Sequence, residues 1–114
     1  MNDDFAMRAA LGLLCDYCVH DTPAVVFRQK RGFTMITPDA VLRFEDPWNA
    51  CAACAQFVER RQIHLLLDRV MRLHPRHGEM NRPQKRLTRR MLKRMYMAMY
   101  DAGVEKPEPI AGPS

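Results

Sequence analysis

Cys15-Asp16-Tyr17-Cys18 and Cys51-Ala52-Ala53-Cys54 are two cysteine pairs with the same two-residue gap, separated by 32 residues. Such a gap lets both sulfurs of a pair turn toward one point. Two pairs then supply the corners of a tetrahedron around one zinc ion, at Zn–S distances of about 2.3 Å. The spacing therefore predicts a chain that folds around a single zinc held by Cys15, Cys18, Cys51 and Cys54. Four thiolates leave no open position for water or substrate, so this zinc is expected to be structural and not catalytic.

Other chemistries use the same residue. A disulfide framework belongs to secreted chains, whereas this one opens with Asp3 and Asp4 and has only a short apolar stretch from Ala9 to Cys15. A redox Cys-x-x-Cys needs one low-pKa thiol at a helix start in a strand-helix-strand pattern, and a second copy would be surplus. A chain of 114 residues makes one small domain, near the size at which a metal is a useful staple. No apolar run approaches the roughly 18 residues that span a bilayer, and no targeting motif stands at either end. A cytoplasmic protein without membrane contact or small-molecule substrate is expected.

The local patterns predict an α+β fold. Asp4 to Leu14 suits a short helix leading into the first cysteine pair. Ala24 to Arg28 and Phe33 to Thr37, parted by a polar break at Gly32, read as a hairpin, and Val41 to Phe44 as a further short strand. Asp46-Pro47 reads as a helix cap followed by proline at the first helical position, which places Cys51 and Cys54 in the first turns of a helix. Knuckle, hairpin, then knuckle on a helix start is a small treble-clef-like arrangement. Apolar residues continue to Leu73, with a polar gap at Glu59-Arg60-Arg61-Gln62 where the helix breaks or turns. Residues 1–78 are thus expected to form the zinc domain, residues 79–103 a basic amphipathic helix packed on or extending it, and residues 104–114 a flexible tail.

Charge is concentrated in one block. Residues 1–59 carry a net −3, residues 60–94 a net +10, and residues 95–114 a net −2. From Gln84 to Ala102, at 100° per residue, Leu87, Thr88, Met91, Leu92, Met95, Ala98 and Met99 fall within an arc of about 140°. Lys85, Arg86, Arg89, Arg90, Lys93 and Arg94 take the opposite half-circle, with Met97 among them and Tyr96 and Tyr100 on the same side. Six cations without acidic partners one turn away repel one another, and an anionic partner relieves them. The expected function is a non-catalytic binding module that contacts nucleic-acid phosphates, DNA or RNA, through these six residues. An acidic protein surface is the alternative, with the protein acting as an adaptor through the Met-rich basic helix.

The Cys-Asp-Tyr-Cys knuckle and the stretch Trp48-Asn49-Ala50-Cys51-Ala52-Ala53-Cys54-Ala55-Gln56-Phe57-Val58-Glu59 resemble small zinc-binding proteins of actinobacteria whose function is uncharacterised. This resemblance covers residues 13–72 and implies a zinc fold but no activity. The paired cysteines, with Asn49 shortly before the second pair, also resemble the frame of HNH endonucleases. Those enzymes need histidines in the segment between the pairs to activate water and hold a metal, and Val25 to Ala50 contains none. His20 comes too early for that role, and a decayed, non-cutting relative is what this resemblance allows. His74-Pro75-Arg76-His77 has a metal-like spacing, but its proline prevents a regular helical face.

Overall fold

The computed structural model describes residues 13–110. The helix expected from Asp4 lies, apart from its last two residues, outside them. The described chain forms strands β1 (Val25–Phe27), β2 (Phe33–Ile36), β3 (Val41–Phe44) and β4 (Trp48–Ala50). Helices α1 (Ala52–Glu59) and α2 (Ile63–Leu73), a 3-10 turn (His77–Glu79), helix α3 (Arg82–Asp101) and the two-residue strand β5 (Glu108–Pro109) follow. The fold is mixed α+β, as expected, but its strands pair differently.

The expected hairpin between β1 and β2 does not form. β2 pairs with β3, placing Phe33 opposite Phe44. β1 runs antiparallel to β4, with Val25 opposite Ala50 and Phe27 opposite Trp48. The reason lies in the helix start: α1 begins at Ala52, so Trp48–Ala50 is free to serve as a strand and to carry Cys51 to the end of the sheet. Asp46-Pro47 precedes this strand and does not start a helix.

β5 lies on the other edge of β1, with Val26 opposite Glu108. Gln29 bridges Val104, the Glu105 N–H donates to the Arg28 carbonyl at 2.8 Å, and the Ile110 N–H donates to the Ala24 carbonyl at 3.1 Å. Residues 104–110, expected to begin a flexible tail, are therefore held by backbone hydrogen bonds. Gly103 makes the return possible. Its φ of 88° is a left-handed conformation that closes α3, and a Cβ there would meet Lys30 Cδ at 3.0 Å.

The break expected after Glu59 is present. Arg61 adopts a φ of 55°, and the Gln62 N–H donates to the Phe57 carbonyl at 2.9 Å. Tyr100 secures this corner from α3: its hydroxyl donates to the Val58 carbonyl at 2.8 Å, and the Arg61 guanidinium lies 4.6 Å above its ring. α3 starts at Arg82, within the expected residues 79–103 and two residues before the clear periodicity from Gln84, because Asn81 and Gln84 form a reciprocal capping box.

The three helices and strands β1 to β4 share one core. α2 contributes Leu66, Leu67 and Val70, α1 contributes Val58, and α3 contributes Tyr96 and Met99, packed around Phe27, Trp48, Tyr17 and the four cysteines. The basic helix thus packs into this core through Tyr96 and Met99. Its buried stripe runs through Leu92, Tyr96 and Met99, which is rotated by roughly 70° from the arc centred on Met91 and Met95. Tyr96 causes the rotation: its ring enters the core 5.5 Å from Tyr17 and edge-on to Trp48 at 6.4 Å. Leu87 and Met91, expected inside, are exposed. Among the described residues, no helix is long and apolar enough to cross a membrane.

Candidate functional site

The four cysteines converge. Their sulfurs all lie within 4.8 Å of one another, and all four residues are buried. A tetrahedral ion with bonds of about 2.3 Å sets its ligand sulfurs about 3.8 Å apart; Cys18 Sγ and Cys51 Sγ are 3.9 Å apart. The set therefore fits a metal ion that takes four thiolates. Among the described residues, no histidine or carboxylate joins the group.

Backbone hydrogen bonds build each half of the site. In the first knuckle, the Tyr17 N–H donates to Cys15 Sγ at 3.4 Å, and the Cys15 N–H donates to the Asp21 carbonyl at 2.8 Å. The knuckle closes with Val19 at a φ of 52°, a costly conformation for a β-branched residue that the surrounding bonds hold in place. In the second half, Cys51 is the N-cap of α1, and its sulfur accepts the Cys54 N–H at 3.4 Å. One side chain thus caps a helix and faces the metal position, where the positive end of the helix favours a thiolate. Asp16 and Asn49 tie the halves together: the Asp16 N–H donates to the Asn49 carbonyl at 2.8 Å, and Asp16 Oδ2 accepts the Asn49 N–H at 2.7 Å.

Sulfurs this close compete for protons. Hydrogen bonding with Cys18 pushes Cys15 up, and bonding with Cys15 and then Cys18 pushes Cys54 up. Cys51 is pulled down by accepting bonds from Cys15, Cys18 and Cys54, and Cys18 falls to about 6 through its bond with Cys15. A divalent cation at the centre stabilises all four thiolates together.

Arg69 is the residue that motif reading overlooks. From α2 its guanidinium donates to Asp21 Oδ2 at 2.5 Å and reaches Cys51 Sγ at 3.7 Å. Burial alone works against its charge, but the sulfurs of Cys54 and Cys51 hold its pKa above the usual arginine range. A four-thiolate site around a divalent ion carries two net negative charges, which this cation offsets in part. The only trace in the sequence is an arginine between the core residues Leu67 and Val70. Replacing Arg69 by Gln is expected to weaken metal binding by roughly 10- to 100-fold, the usual effect of removing a partner behind the ligands. Arg69→Lys should lose less, because it keeps the charge. Competition for Zn²⁺ against a chromophoric chelator checks both.

The six expected cationic contacts do not remain one set. Arg89 turns toward α2, where its Nη1 donates to Asp68 Oδ1 at 2.8 Å, and Lys85 is half-buried on the same flank. Helical spacing could not show this partner, since Asp68 comes from another helix. Arg86, Arg90, Lys93 and Arg94 remain exposed, and none forms an ion pair among the described residues. Met97 is exposed beside them, as expected, whereas Tyr96 is fully buried and Tyr100 is committed to Val58.

A groove runs between this face and the β2–β3 hairpin. One part, of about 580 Å³, lies between Thr34 to Ile36 and Arg90, Lys93, Arg94 and Met97, with Asp101 at its end. A second part, of about 520 Å³, continues between Pro38, Asp39 and Leu42 of the hairpin side and Leu87 and Met91. The histidines lie apart from any cluster: His20 Nδ1 is bonded to Asp21 at 2.7 Å, and His77 Nδ1 lies 2.9 Å from the Met71 carbonyl. No protein-family model, curated protein or solved structure matches the chain.

Proposed function

We propose that the protein is a non-catalytic adaptor: a treble-clef-like domain, folded by one structural zinc, that docks on another protein through α3 and the neighbouring hairpin. The carrying observation is the mixed character of that face. Unpaired Arg90, Lys93 and Arg94 alternate with exposed Ile36, Leu42, Leu87, Met91 and Met97. Large apolar side chains gathered in one groove mark a surface that gains by being covered, and phosphates would leave them in water. The thiolate set supports the non-catalytic part, because its four ligands close the coordination shell.

Nucleic acid is the second reading, favoured by the four exposed cations of α3, Arg86, Arg90, Lys93 and Arg94. Against it, neither tyrosine of that helix is free to stack on a base. Capture of partners from native lysate, with and without nuclease, separates the two. Under the adaptor reading a protein partner survives nuclease and is lost with the triple variant Arg90→Gln, Lys93→Gln, Arg94→Gln. Loss of every partner on nuclease treatment, with the binding constant for duplex DNA, read by anisotropy, falling by about 0.9 log units per log unit of salt for each phosphate contacted, would establish the nucleic-acid reading instead.

A further inference from the structure

We infer that the groove between α3 and the β2–β3 hairpin takes an acidic amphipathic helix of a partner protein, which rests on the adaptor reading and specifies its ligand. The dimensions suit a helix. From Leu87 to Met97 the wall of α3 is about 15 Å long, or nearly three turns, and the hairpin supplies the opposite wall through Ile36 and Leu42. The walls are apolar at their rims: Ile36, where the two hollows meet, is 72% exposed, and Leu87 is 63% exposed. Such residues receive the i, i+3, i+4, i+7 side chains of an amphipathic helix.

Charge decides which helix. Arg90 and Arg94 line both parts of the groove, and Lys93 lines one. Asp39 and Asp101 stand near opposite ends, leaving the middle cationic. A helix with Asp or Glu flanking its apolar stripe satisfies the three cations and covers the exposed apolar residues at once. A second copy of this chain is a poor occupant, because a face-to-face pair would set Arg90, Lys93 and Arg94 of one protomer against the same residues of its partner.

The test uses the zinc-loaded full chain and fluorescein-labelled synthetic peptides of about 16 residues, some 24 Å when helical. One carries Leu at i, i+3, i+4, i+7 spacing with Glu elsewhere, and the other is a scramble of identical composition. Fluorescence anisotropy should show at least tenfold tighter binding of the amphipathic peptide. Ile36→Thr and Leu87→Gln should each weaken it by about five- to tenfold, as expected for losing one apolar side chain from an interface. Both residues are exposed, so the fold should be kept, which circular dichroism checks. Arg90→Gln with Arg94→Gln should weaken binding and flatten its salt dependence.

Equal affinity for the scramble, or indifference to Ile36→Thr and Leu87→Gln, overturns the helical occupant. If lysate capture still retains a nuclease-resistant protein lost with the cationic triple variant, the adaptor reading stands without it. If sedimentation instead shows a dimer that Leu87→Gln dissociates, the groove belongs to a second copy and the proposal also fails.

Discussion

Stripping the metal with a strong chelator at neutral pH is expected to unfold the protein, and Cys15→Ser or Cys54→Ser should do the same without a chelator. The four cysteines sit within the single core, which also takes in residues of all three helices and of β1 and β4, with Phe33 and Phe44 of the β2–β3 hairpin packed against it. Losing one ligand therefore removes metal binding and leaves polar atoms in the middle of that core. Zinc binding by small domains contributes roughly 10–16 kcal/mol of apparent free energy at neutral pH, and a domain of this size has a net stability of only about 5–15 kcal/mol. The metal is thus comparable to the whole margin. Elemental analysis should find one zinc per chain, and the thermal transition should disappear or broaden on chelation. A metal-free preparation with four freely titrating thiols and an unchanged transition would sink the structural-zinc reading.

The next largest effect is expected from Trp48→Ala. Trp48 is buried and stacks on Tyr17 at 5.2 Å and on Phe44 at 5.7 Å, with Phe33 parallel at 6.5 Å and Tyr96 edge-on. Its indole N–H donates to Gln29 Oε1 at 3.0 Å. This one side chain joins the first knuckle, the hairpin, β4 and α3. Truncation of a buried tryptophan costs about 3–5 kcal/mol, which for a domain near 100 residues should lower the melting temperature by more than about 10 °C. Trp48→Phe should lose far less, because it keeps a stacked ring and gives up mainly the bond to Gln29. Calorimetry on the zinc-loaded variants checks the order. Equal losses for Ala and Phe would mean that the hydrogen bond, and not the aromatic stack, holds these elements together.

The two substitutions also show how differently the chain's features can be read. The ligand set is visible without a structure, because the geometry of a Cys-x-x-Cys pair is local: two residues of separation suffice to aim two sulfurs, and two pairs complete a shell. The length of α3 is local too, since its cap, its proline and its closing glycine lie within a turn of its ends. The charge block from residue 60 to 94 follows from composition alone.

Features that depend on contacts distant in sequence were not readable in this way. Strand propensity marks Val25–Phe27 and Phe33–Ile36 as extended, but it does not say that the first pairs with Trp48–Ala50 and Glu108–Pro109 and the second with Val41–Phe44. Periodicity shows that α3 is amphipathic, but its rotation is set by where Tyr96 finds room beside Tyr17 and Trp48. That rotation places Arg89 against Asp68 and turns Leu87 and Met91 outward, creating the groove. Arg69 reaches Cys51 only because the chain reverses at Arg61 and α2 returns toward the start of α1. Spacing along the chain thus determines the four-cysteine set and the extent of α3. Packing determines which charges stay free and which apolar residues remain uncovered, because both depend on neighbours that local sequence does not specify.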